Sequence, residues 1–112
     1  MPFTDLLAQL CRDVPGALGA VFVDDEGENV QRHVAHPSLT TYDLDVAGAY
    51  VTPLVGWASA WRVLAVRGET GTFIACVVKD RYILVLLMGG HGSTGLARRA
   101  VQEAADRLRT LM

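Results

Sequence analysis

The sequence is short of the residues that mark most metal, redox and nucleic-acid sites. It has two cysteines, Cys11 and Cys76, too far apart for a zinc-ligand spacing or a redox pair, so both are expected to be buried thiols in a reducing compartment. Aromatic residues make up 7% of the chain, and Lys79 is its only lysine. The basic residues are spread over strands and a helix with no aromatic stacking platform beside them, and the net charge is −2, so nucleic-acid binding is not expected. Long apolar runs are also missing. The longest uncharged stretch, Val46 to Trp61, has 16 residues and contains Pro53 and two glycines, which falls short of a membrane span. Met1-Pro2-Phe3 has no basic n-region, and Asp5 and Arg12 interrupt the first apolar stretch, so no signal peptide opens the chain and a cytoplasmic location is expected. No linker, repeat or charge block divides the sequence.

What is present is a single domain over residues 1–112. Hydrophobic residues make up 51% and charged ones 20%, which excludes a disordered chain. At 12.1 kDa the size scaling predicts roughly 6,000 Å² of folded surface against roughly 17,500 Å² unfolded, enough burial for an autonomous core. Phe3, Leu6, Leu7, Leu10, Cys11 and Val14 fall at helical spacing, with Thr4 as N-cap and Pro15-Gly16 as the stop. Ala20 to Val23 is a buried strand, Asp24 to Gly27 a turn, and Asn29 to Ala35 a more polar strand suited to a sheet edge. Three further strands, Val63 to Val66, Thr72 to Val78 and Tyr82 to Met88, are joined by connections short enough to require antiparallel neighbours. A last helix runs from Leu96 to about Leu111, with Ala97, Ala100, Val101, Ala104, Leu108 and Leu111 inward and Arg99, Glu103 and Arg107 outward. The expected fold is α+β: a five-stranded antiparallel sheet with helices on its faces, in the order α-β-β-α-β-β-β-α.

The segment from Tyr42 to Trp61 carries more apolar surface than one sheet can cover. Leu44, Ala47, Val51, Leu54, Val55 and Ala58 share one face of a helix, and Tyr50, Trp57 and Trp61 form a second strip beside it. Gly48, Thr52 and Gly56 recur every fourth residue as a low ridge that lets another backbone come close. Pro53 lacks an N–H and is expected to kink or restart the helix, with Thr52 as cap.

Few residues offer chemistry. Gly90-His91-Gly92-Ser93-Thr94-Gly95 spells G-x-G-x-x-G after a strand and before a helix. A dinucleotide site, however, needs a second parallel strand with an acidic residue after that helix, and a P-loop needs a lysine after the glycines. Ser93 or Thr94 as a helix cap is the expected role. His33 and His36 on an extended segment point to opposite faces and do not share a metal. His91 has no third member of a triad to work with, and the acids of residues 24–28 resemble neither a calcium loop nor opposed carboxylates. No catalytic residue, metal ligand or cofactor site is expected. Charge is polarised along the chain: residues 1–56 hold eight acids against Arg12 and Arg32, and residues 57–112 hold eight bases against four acids. Such a distribution orients a protein partner.

Several phrases, taken with the order of elements, resemble the roadblock/dynein light-chain family near its bacterial, MglB-like branch. They are Leu10 through Val14-Pro15-Gly16-Ala17, Gly19 to Asp24 with Glu26-Gly27, the strand Tyr82 to Leu87, and Ser93-Thr94-Gly95-Leu96-Ala97-Arg98. The resemblance implies a homodimer in which two middle helices pack together and the sheets join across their third strands. It also implies that the paired helices form a platform for a Ras-like small GTPase, whose switch regions are altered without a catalytic arginine from the platform. The interface expected on this basis comprises Gly48, Tyr50, Thr52, Gly56, Trp57, Trp61 and Val63. The function so implied is a non-catalytic dimeric regulator or scaffold of that GTPase's nucleotide cycle. A different class of function, a small sensory or peptide-binding module, would hold a ligand between sheet and helices, where the sequence offers Thr72, Cys76 and Tyr82 as polar groups.

Overall fold

The computed structural model describes residues 2–24, 26, 28–57, 63–68, 71–79, 82–90 and 92–112, without the side chains of 29 and 54–57. Its elements are α1 (Pro2–Asp13), β1 (Ala17–Asp24), β2 (Asn29–Val34), α2 (Thr41–Trp57), β3 (Val63–Arg67), β4 (Thr72–Lys79), β5 (Tyr82–Met88) and α3 (Thr94–Leu111). The strands form one sheet in the order β2-β1-β5-β4-β3, every neighbouring pair antiparallel. This is the expected architecture, with β2 at an edge. The accessible surface is 6430 Å², close to what the chain's mass predicts.

Both faces of the sheet are covered, which is why the central strands are almost continuously apolar. On one face α1 and α3 pack against Ala20, Phe22, Ile74, Cys76, Leu84 and Leu86, contributing Leu7, Leu10, Val101 and Leu108. Phe22 sits between Phe3 and Tyr82, with ring centroids 5.8 and 5.5 Å away. On the other face α2 covers Val21, Val23, Ala75, Ile83, Val85 and Leu87 with Leu44, Ala47 and Val51, and Leu39 packs against the same cluster.

Several local expectations are corrected. Thr4 lies inside α1, which begins with Pro2, where a missing N–H costs nothing. The first strand starts at Ala17, three residues earlier than its apolar core suggests, because pairing with β5 reaches Met88. Gly16, at φ +89°, makes the turn that separates α1 from this strand. In α3 Leu111 is exposed and Ala105 is buried, since the contact stripe of a straight helix drifts away from a strict repeat over its length. Ser93 caps α3 as expected, accepting the Leu96 N–H at 3.3 Å.

The far end of α3 is tied to the sheet by Arg109. Its Nη2 donates to the Val77 carbonyl at 2.8 Å, its Nε to the Val78 carbonyl and its Nη1 to Asp106. These two carbonyls lie at the irregularity in β4 between Val77 and Lys79. Removing the guanidinium in Arg109→Ala is expected to cost about 1–3 kcal/mol, read as a lower urea midpoint with an unchanged slope. Cys11, buried in α1, has its thiol pushed up from 9.0 to about 11 by burial, with Arg12 acting weakly in the opposite sense. The unfolded chain therefore releases this proton first. Stability is expected to fall between pH 9 and 11, by up to about 1.4 kcal/mol per pH unit. Urea titrations at pH 8 and pH 10 on wild type and Cys11→Ala check this, because the variant should lose that part of the slope.

Candidate docking surface

The outer side of α2 gathers three of the large apolar side chains that the described residues leave exposed. Thr40 and Asp43 start the helix as a reciprocal cap: Thr40 Oγ1 accepts the Asp43 N–H at 3.1 Å, and Asp43 Oδ2 accepts the Thr40 N–H at 2.9 Å. From there one side of the helix, with Leu44, Ala47 and Val51, is buried on the sheet. The opposite side presents Tyr42, Val46 and Tyr50, which are 71%, 48% and 59% exposed. Spaced four residues apart, they form one stripe. Large apolar groups gathered this way mark an interaction surface.

Beside the stripe runs a groove of about 750 Å³, bounded by α2 on one side and by Val66, Gly71 and Phe73 of the β3–β4 hairpin on the other, with Leu18 and Leu87 on its floor. The Tyr50 ring leans over it, 6.4 Å from that of Phe73 and tilted by 58°. α2 packs against β1, β2, β4 and β5, and the groove opens between it and the β3–β4 hairpin.

The two sheet edges differ in how they meet solvent. β2 carries Arg32, which pairs with Asp45 at 2.8 Å, and His33; charged side chains of this kind discourage edge pairing. β3 has the sequence Val-Leu-Ala-Val-Arg, pairs only with β4 among the described residues, and has a single charge, at its last position. An edge so lightly protected is suited to accept another strand.

The residues expected at an interface are dispersed by this arrangement. Tyr50 is on the exposed stripe. Gly48 is buried within its own chain, and Thr52 is half-buried, its hydroxyl donating to the Gly48 carbonyl at 2.7 Å. Thr52 is thus an interior helix residue and not a cap, and α2 continues through Pro53 to Trp57. Val63 turns its side chain into the core beneath α1 and α3, so at the open edge it offers main chain alone. The side chains of Leu54, Val55, Gly56 and Trp57, together with Ala58 and Trp61, lie outside what the structure describes. Tyr42 and Val46 went unnoticed in the sequence, although their four-residue spacing from Tyr50 was the available signal.

The remaining candidates for chemistry do not assemble. His91 lies outside the described residues. His36 Nδ1 is 2.7 Å from the Ser38 hydroxyl and also accepts the Ser38 N–H at 3.1 Å. Among the described residues no group of three metal-ligating side chains occurs. Gly92 is explained by packing, since a Cβ there would come within 2.2 Å of the Met88 methyl and 3.2 Å of the Pro15 carbonyl. No described helix is long and apolar enough to cross a membrane.

No protein-family model and no curated protein sequence matches the chain; the matches are to solved structures. The Roadblock/LC7 domain from Streptomyces avermitilis superimposes with a TM-score of 0.80 at 16% identity, covering 95% of this chain and 93% of that one. The chain has the roadblock fold. An MglB with a tetrameric arrangement gives a TM-score of 0.84 at 18% identity over 96% of this chain and 85% of that one. MglC from Myxococcus xanthus gives 0.77 at 21% identity over the whole of both chains. Within the roadblock fold, the exposed stripe lies on the middle helix and the open edge is the third strand.

Proposed function

We propose that this roadblock-fold protein is a non-catalytic homodimer whose paired middle helices bind a Ras-like small GTPase and modulate its nucleotide cycle. The observation that carries this reading is the continuity of the Tyr42–Val46–Tyr50 stripe, the groove beside it and the lightly protected edge of β3. A second copy of the chain covers all three at once. Burying about 400 Å² of apolar surface in total contributes on the order of 10 kcal/mol before association costs. The tetrameric MglB is a roadblock-fold relative that assembles, which supports self-association here.

The joined α2 helices then form a broad floor. It is acidic at its ends, where each α2 carries Asp43 and Asp45, and it has no basic residue along its length. A GTPase seated there responds according to the difference in the platform's affinity for its nucleotide states. Hydrolysis is accelerated only if the platform favours the arrangement that positions the attacking water. The test is co-elution of the purified protein with the Ras-like GTPases of its own cell, loaded with GDP or with a GTP analogue. State-dependent complex formation is expected; no complex in either state contradicts the reading.

A further inference from the structure

We infer that the cleft where β1 begins and β5 ends is a docking site for an acidic segment of a partner protein, with an apolar side chain of that segment in the cleft and a neighbouring carboxylate on Arg99. The cleft holds about 500 Å³, and Pro15, Ala17, Leu18, His36, Gly90 and Leu96 are among the residues that line it. None of its lining residues belongs to α2 or β3. The site is therefore separate from the surface on which the proposed function rests.

An apolar anchor follows from the walls. Leu96, in the first turn of α3, is 46% exposed and borders a cleft of the size that buries small apolar groups. A large aliphatic side chain left open beside a recess marks a contact surface. Gly90 points the same way. Gly92 on the same loop is required by its packing on Met88, but a Cβ on Gly90 would meet nothing within 4 Å, and its φ lies outside the left-handed region. The fold makes no demand for glycine at this position, and its bare main chain admits the close approach of another chain.

The charge of the occupant follows from what surrounds the cleft. The segments that carry its walls, residues 14–23, 30–42 and 81–102, contain no acidic residue. Arg99 lies three residues beyond Leu96, one turn along the same side of α3. Among the described residues neither Arg98 nor Arg99 takes part in an ion pair. His36 adds a hydrogen-bond donor: its Nδ1 accepts the Ser38 N–H at 3.1 Å, which leaves the ring proton on Nε2. A basic, donor-bearing rim around an apolar cleft is complementary to a segment in which an apolar residue adjoins Asp or Glu.

The test is selection from a displayed library of random short peptides on the wild-type protein, followed by fluorescence anisotropy of the enriched peptides with variants. Enrichment of sequences that join an apolar residue to Asp or Glu is expected. Arg99→Glu should weaken their binding at least about tenfold, because it sets like charges against each other. Gly90→Val, whose side chain stands in open space in the free chain, should also weaken it by obstructing the cleft. Leu111→Ala, at an exposed apolar residue at the other end of α3, should leave it unchanged. Far-UV circular dichroism checks the fold of each variant, and Arg99→Glu decides alone if Gly90→Val does not fold. No enrichment, enriched peptides without acids, or binding that Arg99→Glu leaves at the wild-type level overturns the assignment. None of these results bears on the GTPase reading, which the state-dependent co-elution tests.

Discussion

Val46→Asp is expected to convert the proposed dimer into a folded monomer. Val46 is 48% exposed in the single chain, so a carboxylate there is solvated in the monomer and costs its fold little. In the dimer the same carboxylate is desolvated in a groove lined mainly by apolar side chains, with Arg67 the basic residue among them. Desolvating a charge there costs several kcal/mol, only part of which attraction to Arg67 returns, so the dissociation constant should rise at least about a hundred-fold. Sedimentation velocity at micromolar concentration reads the change, and far-UV circular dichroism confirms that the fold is retained. A variant that stays dimeric would move the interface off the stripe.

Phe22→Ala is expected to be the most damaging substitution for the fold itself. Phe22 is 1% exposed and is held between the Phe3 and Tyr82 rings on the face that α1 and α3 share. Truncating it loses the ring's transfer energy and leaves a cavity between a helix and the sheet, at about 3–5 kcal/mol. That is a large part of the 5–15 kcal/mol typical of a whole domain, and it corresponds to a fall in melting temperature on the order of 15 °C. Thermal unfolding followed by circular dichroism measures it. A fall of less than about 5 °C would mean that the site collapses around the missing ring.

The contrast between these two positions also shows what was legible in the sequence. Phe22 lies in an uninterrupted apolar run, and such runs, separated by short turns, were enough to predict five antiparallel strands, while the polar residues of the second strand pointed to an edge position for it. The helices follow from the 3.6-residue period, and the excess of apolar surface on the middle helix is visible in the sequence itself. Harder to read was which part of that surface the sheet takes. The segment is apolar all round, so periodicity alone could not tell the buried Gly48 from the exposed Val46; the answer depends on how α2 is rotated over β1 and β5. Pro53 likewise suggested a break, whereas the helix absorbs the missing N–H and Thr52 turns its hydroxyl back on Gly48. Val63 was assigned to the interface by its strand, but the pleat sends its side chain to the opposite face. Arg109, which anchors α3 to the β4 irregularity, had no signal in the sequence, because a register shift is a property of strand pairing.

The proposed function depends on a second copy of the chain covering the α2 stripe and the β3 edge. Sedimentation equilibrium of the wild-type protein at low micromolar concentration measures this most directly. A mass twice the 12.1 kDa of one chain, or an even multiple of it, is predicted. A single species at the mass of one chain, unchanged on raising the concentration, would contradict it.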